Sequence, residues 1–235
     1  MKPTHRLCAI LVIAAALALS AVGQTPPAAD AAAAARAKSD ADNDRKAAEW
    51  VAALQLDDAA RSARVQAVIA THLKTIRDWH NDHPATTVPA GNNPVTGKPL
   101  STLDRQMIAD SAMPKAVHET LMAGLRRELA PEQVAVILDK HTVGKVAFTM
   151  AGYRAIVPDL TEKEAATILV FLQQAREEAM DYKNMNQISS IFEIYKTKSE
   201  QFLNANGRDW KQLYKAYTDA VKAKKAADAA AKTAK

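Results

Sequence analysis

Apolar residues in this chain recur at three- and four-residue intervals, and that spacing predicts helices. The clearest stripe is Val65, Val68, Ile69, His72, Ile76 and Trp79. It marks one face of a helix starting near Asp57 and running to about His80. Arg64, Lys74 and Asp78 fall elsewhere on that wheel, and strand alternation does not fit. A shorter helix begins at Ala47, with Trp50, Val51 and Leu54 on one side. Further stripes follow at Val117, Leu121, Met122 and Leu125, and after Pro131 at Val134, Ile137 and Leu138. Ile168, Leu169, Leu172 and Ala175 make the next. Ile188, Ile191, Phe192, Tyr195 and Phe202 continue the pattern, and Trp210, Leu213, Tyr214, Tyr217 and Val221 close it.

Punctuation agrees with these limits. Ser101-Thr-Leu-Asp104 and Thr161-Glu-Lys-Glu164 have capping-box spacing, and Asn206-Gly207 is a helix C-terminal signal. Asn81 to Leu100 is different, holding Pro84, Pro89, Pro94, Pro99, Gly91 and Gly97. A loop of that length inside a compact domain is unusual and is often functional. Val143 to Val157, with Gly144, Gly152 and β-branched residues, allows a short strand or an irregular crossing. The expected fold class is all-α, an irregular multi-helix bundle with one long Pro/Gly-rich loop.

The chain ends change the picture. Lys2 and Arg6 precede an apolar run from Leu7 to Leu19, and Ala21 and Gly23 follow it. These are the three parts of a signal peptide, residues 1–23, cleaved before Gln24. The run is too short to span a bilayer as a helix, and no later segment is apolar enough to do so. The single cysteine, Cys8, precedes the apolar run and leaves with it. The mature chain then has no thiol for disulfides, thiolate metal sites or nucleophilic catalysis. Residues 24–45, rich in Ala and Asp, read as a linker, 46–221 as the helical domain and 222–235 as an Ala/Lys-rich tail.

The formal net charge is +5. The leader carries +2, and the stretch from Trp210 carries +5 from seven Lys against Asp219 and Asp228, which leaves about −2 for the body between. Basicity thus belongs to the termini. A nucleic-acid surface, which needs clustered cations on a structured face, is not expected.

Candidate chemistry gathers at Asp78-Trp79-His80-Asn81-Asp82-His83. His80 and His83 could meet one cation on a continuing helix. Polar residues at a helix end, with Pro84 stopping the helix before His83, are the preferred reading, so no metal and no cofactor is expected. His72 and His118 read as hydrogen-bonded residues beside apolar stripes. His141 could cap carbonyls, which is preferred, or line a pocket with Lys145, Tyr153 and Arg154. The candidate binding residues are Trp79, His80, His83, Lys98, His141, Tyr153 and Arg154; no catalytic residue is assigned. Gly91 to Lys98 fails as a phosphate loop, because five residues separate its glycines and Pro99 stands where Ser or Thr is needed. Trp50, Trp79 and Trp210 could stack on sugars, but two lie on expected core stripes, and the pattern shows no exposed, aligned rings.

Several stretches resemble a secreted family known as domain of unknown function 3826. They are Asp78 to Pro84 with Val88 to Gly91, Asn93 to Pro99, Leu138 to Val146, Gly152 to Pro158, Lys183 to Met185, and Asn206 to Trp210 with Leu213 to Tyr217. The resemblance implies an exported helical protein over residues 46–223, points toward polysaccharide use, and supplies no catalytic residues. Leu129-Ala-Pro-Glu-Gln133 and Leu160-Thr-Glu-Lys-Glu164 also look like the helix-start repeats of periplasmic chaperones of the Spy and CpxP kind. Each copy departs from that pattern, at Ala130 and at Glu164.

The expectation is therefore a periplasmic or extracellular, non-catalytic accessory or binding protein linked to polysaccharide use. Its partner would be a glycan or, on the chaperone alternative, unfolded protein. A third alternative is an enzyme with its site at the 81–100 loop.

Overall fold

The computed structural model describes residues 28–233. The expected signal peptide, Cys8 and the start of the expected linker lie outside the described residues. Among the described residues nine α-helices form: α1 (Ala28–Ala52), α2 (Ala59–Asp82), α3 (Thr102–Ser111), α4 (Lys115–Glu128), α5 (Pro131–Thr142), α6 (Lys145–Ile156), α7 (Glu162–Glu178), α8 (Met185–Ala205) and α9 (Trp210–Thr233). No strand accompanies them, and the chain is an all-α, irregular multi-helix bundle. None of these helices is long and apolar enough to cross a membrane.

The chain divides into two compact units, Met1–Lys38 and Ser39–Lys235. In the first, residues 28–38 are helical, and the side chains of residues 30–38 are exposed. The second holds two apolar cores. One joins Ala47 and Val51 to Val65, Ile69, Leu73, Leu121, Leu125 and Ile137. The other joins Val146 and Tyr153 to Ile168, Leu172, Ile188, Ile191, Phe192 and Leu203, with Trp210 and Leu213 packed on its edge.

The local signals explain most boundaries. Asp58 caps α2, accepting from the Arg61 amide at 3.0 Å. Both capping boxes form: the Asp104 amide donates to Ser101 Oγ at 3.1 Å, and the Glu164 amide to Thr161 Oγ1 at 3.2 Å. Gly207, at φ +83°, ends α8, with the Arg208 amide reaching back to the Leu203 carbonyl at 3.1 Å. At the α2–α4 crossing, a Cβ on Gly124 would lie 2.8 Å from Val68 Cγ1, so this approach requires glycine.

Two stretches differ from expectation. Residues 28–45, expected within a linker, are helical in α1. Alanine has the highest helix propensity, Arg45 bonds to Asp42 and Glu49 one turn away on either side, and the small residues Asn43 and Ala47 are buried. Residues 145–156 form α6 rather than a strand or irregular crossing. The chain reverses on two consecutive left-handed residues, Val143 (φ 53°) and Gly144 (φ 66°), with the Gly144 amide donating to the Asp139 carbonyl at 3.0 Å.

The 81–100 loop is tied down. Ala85–Thr87 is a 3-10 turn, and Asn92 and Pro99 pair as an isolated bridge. Asn93 Oδ1 accepts from the amides of Val95 and Thr96. From α3, Arg105 donates to the Val88 carbonyl and Gln106 to the His83 carbonyl at 2.9 Å.

Candidate functional site

The end of α2 brings three of the expected residues together. Trp79 and His83 stack, with ring centroids 3.7 Å apart and planes at 18°. Trp79 Nε1 donates to the Ala109 carbonyl at 3.3 Å. His83 closes the helix, its amide and its Nδ1 both donating to the Trp79 carbonyl at 2.9 Å. His80 Nδ1 donates to Asp110 Oδ2 at 2.8 Å. Asp110 is buried and also accepts from Gln106 Nε2 at 3.0 Å and from the buried Gln187 Nε2. That network locks α2, α3 and α8 at one junction, and Lys183 beside it donates to Asn81 Oδ1 at 2.7 Å. The two imidazoles thus serve different partners. Among the described residues, no three His, Cys, Asp or Glu side chains gather in a way that could hold a metal.

The other expected residues lie apart from these. Lys98 and Arg154 are exposed, Lys98 beyond the Asn92–Pro99 bridge and Arg154 on α6. Neither lines any of the three cavities described here, and neither does the 81–100 loop. His141 is buried; its Nε2 donates to the Tyr182 carbonyl at 3.1 Å instead of capping its own helix, and Trp50 meets it edge-on at 5.7 Å. Burial pulls its pKa down to about 4. Tyr153 lines a different cavity from His141. The expected residues therefore do not converge in one pocket. Of the remaining histidines, His72 is a hydrogen-bonded core residue, donating from Nε2 to the Met180 carbonyl at 2.9 Å. His118 instead stands half-buried between Asp181 and Glu177, and its bond to Asp181 raises its pKa.

A cleft of about 970 Å³ runs past His118. Many of its charged groups already have partners: His118 with Asp181, Arg176 with Asp139, and Glu178 with the Tyr195 hydroxyl. A second cleft, about 610 Å³, lies between α6, α8 and α9 and is aromatic. Trp210 on α9 sits 5.2 Å from Tyr153 on α6 and stacks with Tyr214 at 6.0 Å and 29°. Tyr217 continues the row one turn on, and Phe148 stands opposite with 81% of its surface exposed. Tyr214 is half exposed. Tyr153 lies beneath them, its hydroxyl donating to the Lys196 carbonyl at 3.1 Å and its pKa raised by burial.

The polar edge of this cleft comes from one face of α8, with Glu193, Lys196 and Glu200 spaced at three and four residues. Glu200 is half-buried. Burial holds its carboxyl above the usual range, Glu193 adds to the shift, and Lys196 opposes it. Such a cleft can hold a flat apolar face against rings while carboxylates and an ammonium meet hydroxyls at its rim.

The helical spacing puts Trp210, Tyr214 and Tyr217 on one stripe without saying whether it is covered, and it does not mark Phe148. The available signal was compositional. Beyond Leu213, the apolar face of α9 is made of tyrosines and a valine, amphipathic side chains suited to a half-open surface.

A helical bundle of this kind hosts unrelated functions, so the fold by itself names none. The family described as protein of unknown function (DUF3826) matches residues 41–223, and the chain belongs to it. No curated protein matches the chain.

Proposed function

We propose that the protein is an exported, non-catalytic accessory protein that binds a glycan chain in the aromatic cleft between α6, α8 and α9. The observation that carries this reading is the row Trp210, Tyr214 and Tyr217 facing exposed Phe148, with glutamates and a lysine along one side. Sugar rings offer C–H faces to aromatic rings and hydroxyls to carboxylates, and the cleft provides both kinds of group side by side. Export is supported by the charged, apolar and small-residue succession over residues 1–23.

The test is affinity electrophoresis of the purified protein through gels containing pectin, xylan, mannan or β-glucan. Retardation by at least one polysaccharide is expected, and it should be lost in the Phe148→Ala/Tyr214→Ala double variant. Both rings are exposed, so the variant should fold. Each stacked ring contributes about 1 kcal/mol, so affinity should fall roughly 10- to 30-fold. No retardation by any polysaccharide would overturn the proposal, and release of new reducing ends would overturn its non-catalytic part. The same exposed rings could meet an unfolded chain, so suppression of client aggregation without any glycan binding would favour the chaperone alternative.

A further inference from the structure

A third cavity, about 460 Å³, lies between α1, α2, α5 and the start of α8, away from the aromatic cleft. We propose that it is a binding site for a small organic carboxylate. Three independent features point there.

The first is charge. Lys46, Arg77, Lys140 and Lys183 all line the cavity. Asp40 and Asp78 both pair with Arg77, and Asp42 turns to Arg45. Lys183 donates to the neutral Asn81 amide oxygen, and among the described residues Lys46 and Lys140 form no ion pair. Burial lowers the pKa of Lys183; Asp110 opposes that shift and Arg77 adds to it.

The second is an unpartnered donor. Asn43 lines the same cavity, is 8% exposed, and its Nδ2 has no hydrogen-bond partner. A buried amide without an acceptor destabilises the fold unless a ligand supplies one.

The third is strain at the rim. Val143 is left-handed and 71% exposed, a conformation that β-branched residues avoid. Such strain concentrates at ligand sites.

The walls select the kind of anion. Leu73, Ile76, Ile188 and Trp50 give the cavity an apolar side, so the ligand needs a carbon body as well as a charge. Three ammonium groups spread around a space of this size suit one carboxylate better than a compact trianion.

The test uses calorimetry on the full chain with four probes: glucuronate, glucose, succinate and inorganic phosphate. Saturable binding of glucuronate or succinate, and none of glucose, is expected. Glucuronate alone would identify a sugar acid, and succinate alone a free organic acid. Lys46→Gln/Lys140→Gln, two exposed substitutions, should weaken binding roughly tenfold or more. Asn43→Leu should weaken binding while raising the Tm, which a purely structural asparagine would not do. The proposal is overturned if no probe binds, if only phosphate binds, or if the lysine variant binds with unchanged affinity. None of these outcomes bears on the aromatic cleft.

Discussion

Replacing His141 by glutamine should flatten the acid side of the stability curve. The imidazole is buried and neutral, with its pKa pulled from 6.5 to about 4. The folded state therefore refuses a proton that the unfolded chain accepts. Stability from this group is fully present above about pH 6.5 and is lost as pH falls toward 4. At 1.36 kcal/mol per pKa unit, the loss by pH 4.5 is roughly 2–3 kcal/mol. His72 shifts in the same direction and His118 in the opposite one. Comparison of wild type with His141→Gln removes both contributions. Glutamine can still donate to the Tyr182 carbonyl, but it loses the edge contact with Trp50, so the variant should start less stable at pH 7. Urea unfolding at pH 7 and pH 4.5 gives the measurement. The variant should lose roughly 2–3 kcal/mol less than wild type between the two pH values. Equal losses would refute the claim that His141 is buried in its neutral form.

Gly124→Ala should destabilise by about 1–2 kcal/mol, because the new methyl meets Val68 Cγ1 at 2.8 Å and overpacking outweighs the gain in helix propensity; chemical denaturation reads it. Val143→Gly should stabilise by about 1 kcal/mol, since it relieves a left-handed β-branched residue that buries little surface; a lower Tm would contradict this. Arg208→Ala should cost about 2–3 kcal/mol at pH 7, because Arg208 bonds both oxygens of Glu164, at 2.7 and 2.8 Å, and also Asp159. Those bonds hold the Glu164 carboxyl at about 2, so the cost should persist above the ordinary carboxyl pKa and shrink as pH falls from about 4.5 toward 2.

The helices around the two cores were legible because their stripes are aliphatic and their ends are capped, as at Val65–Ile76 and Thr161–Glu164. α1 was not, since its buried face is Asn43, Ala47 and Val51, too small to stand out against an alanine background. α6 was hidden by β-branched residues and two glycines, and by a left-handed valine that no propensity would place there. Within the site, the Trp79–His80–His83 group was visible as a cluster, but its anchor, Asp110, lies thirty residues beyond His80 on another helix. The aromatic cleft escaped for a different reason. Periodicity says that Trp210, Tyr214 and Tyr217 share a face; only tertiary packing decides whether that face is covered.

The central claim is that a glycan chain lies against those rings. Crystals or solution spectra of the protein with the polysaccharide fragment that retards it most would test this directly. The account predicts sugar density, or ligand-dependent shifts, confined to Phe148, Trp210, Tyr214 and Tyr217. A fragment seated elsewhere, with these four side chains unmoved, would contradict it.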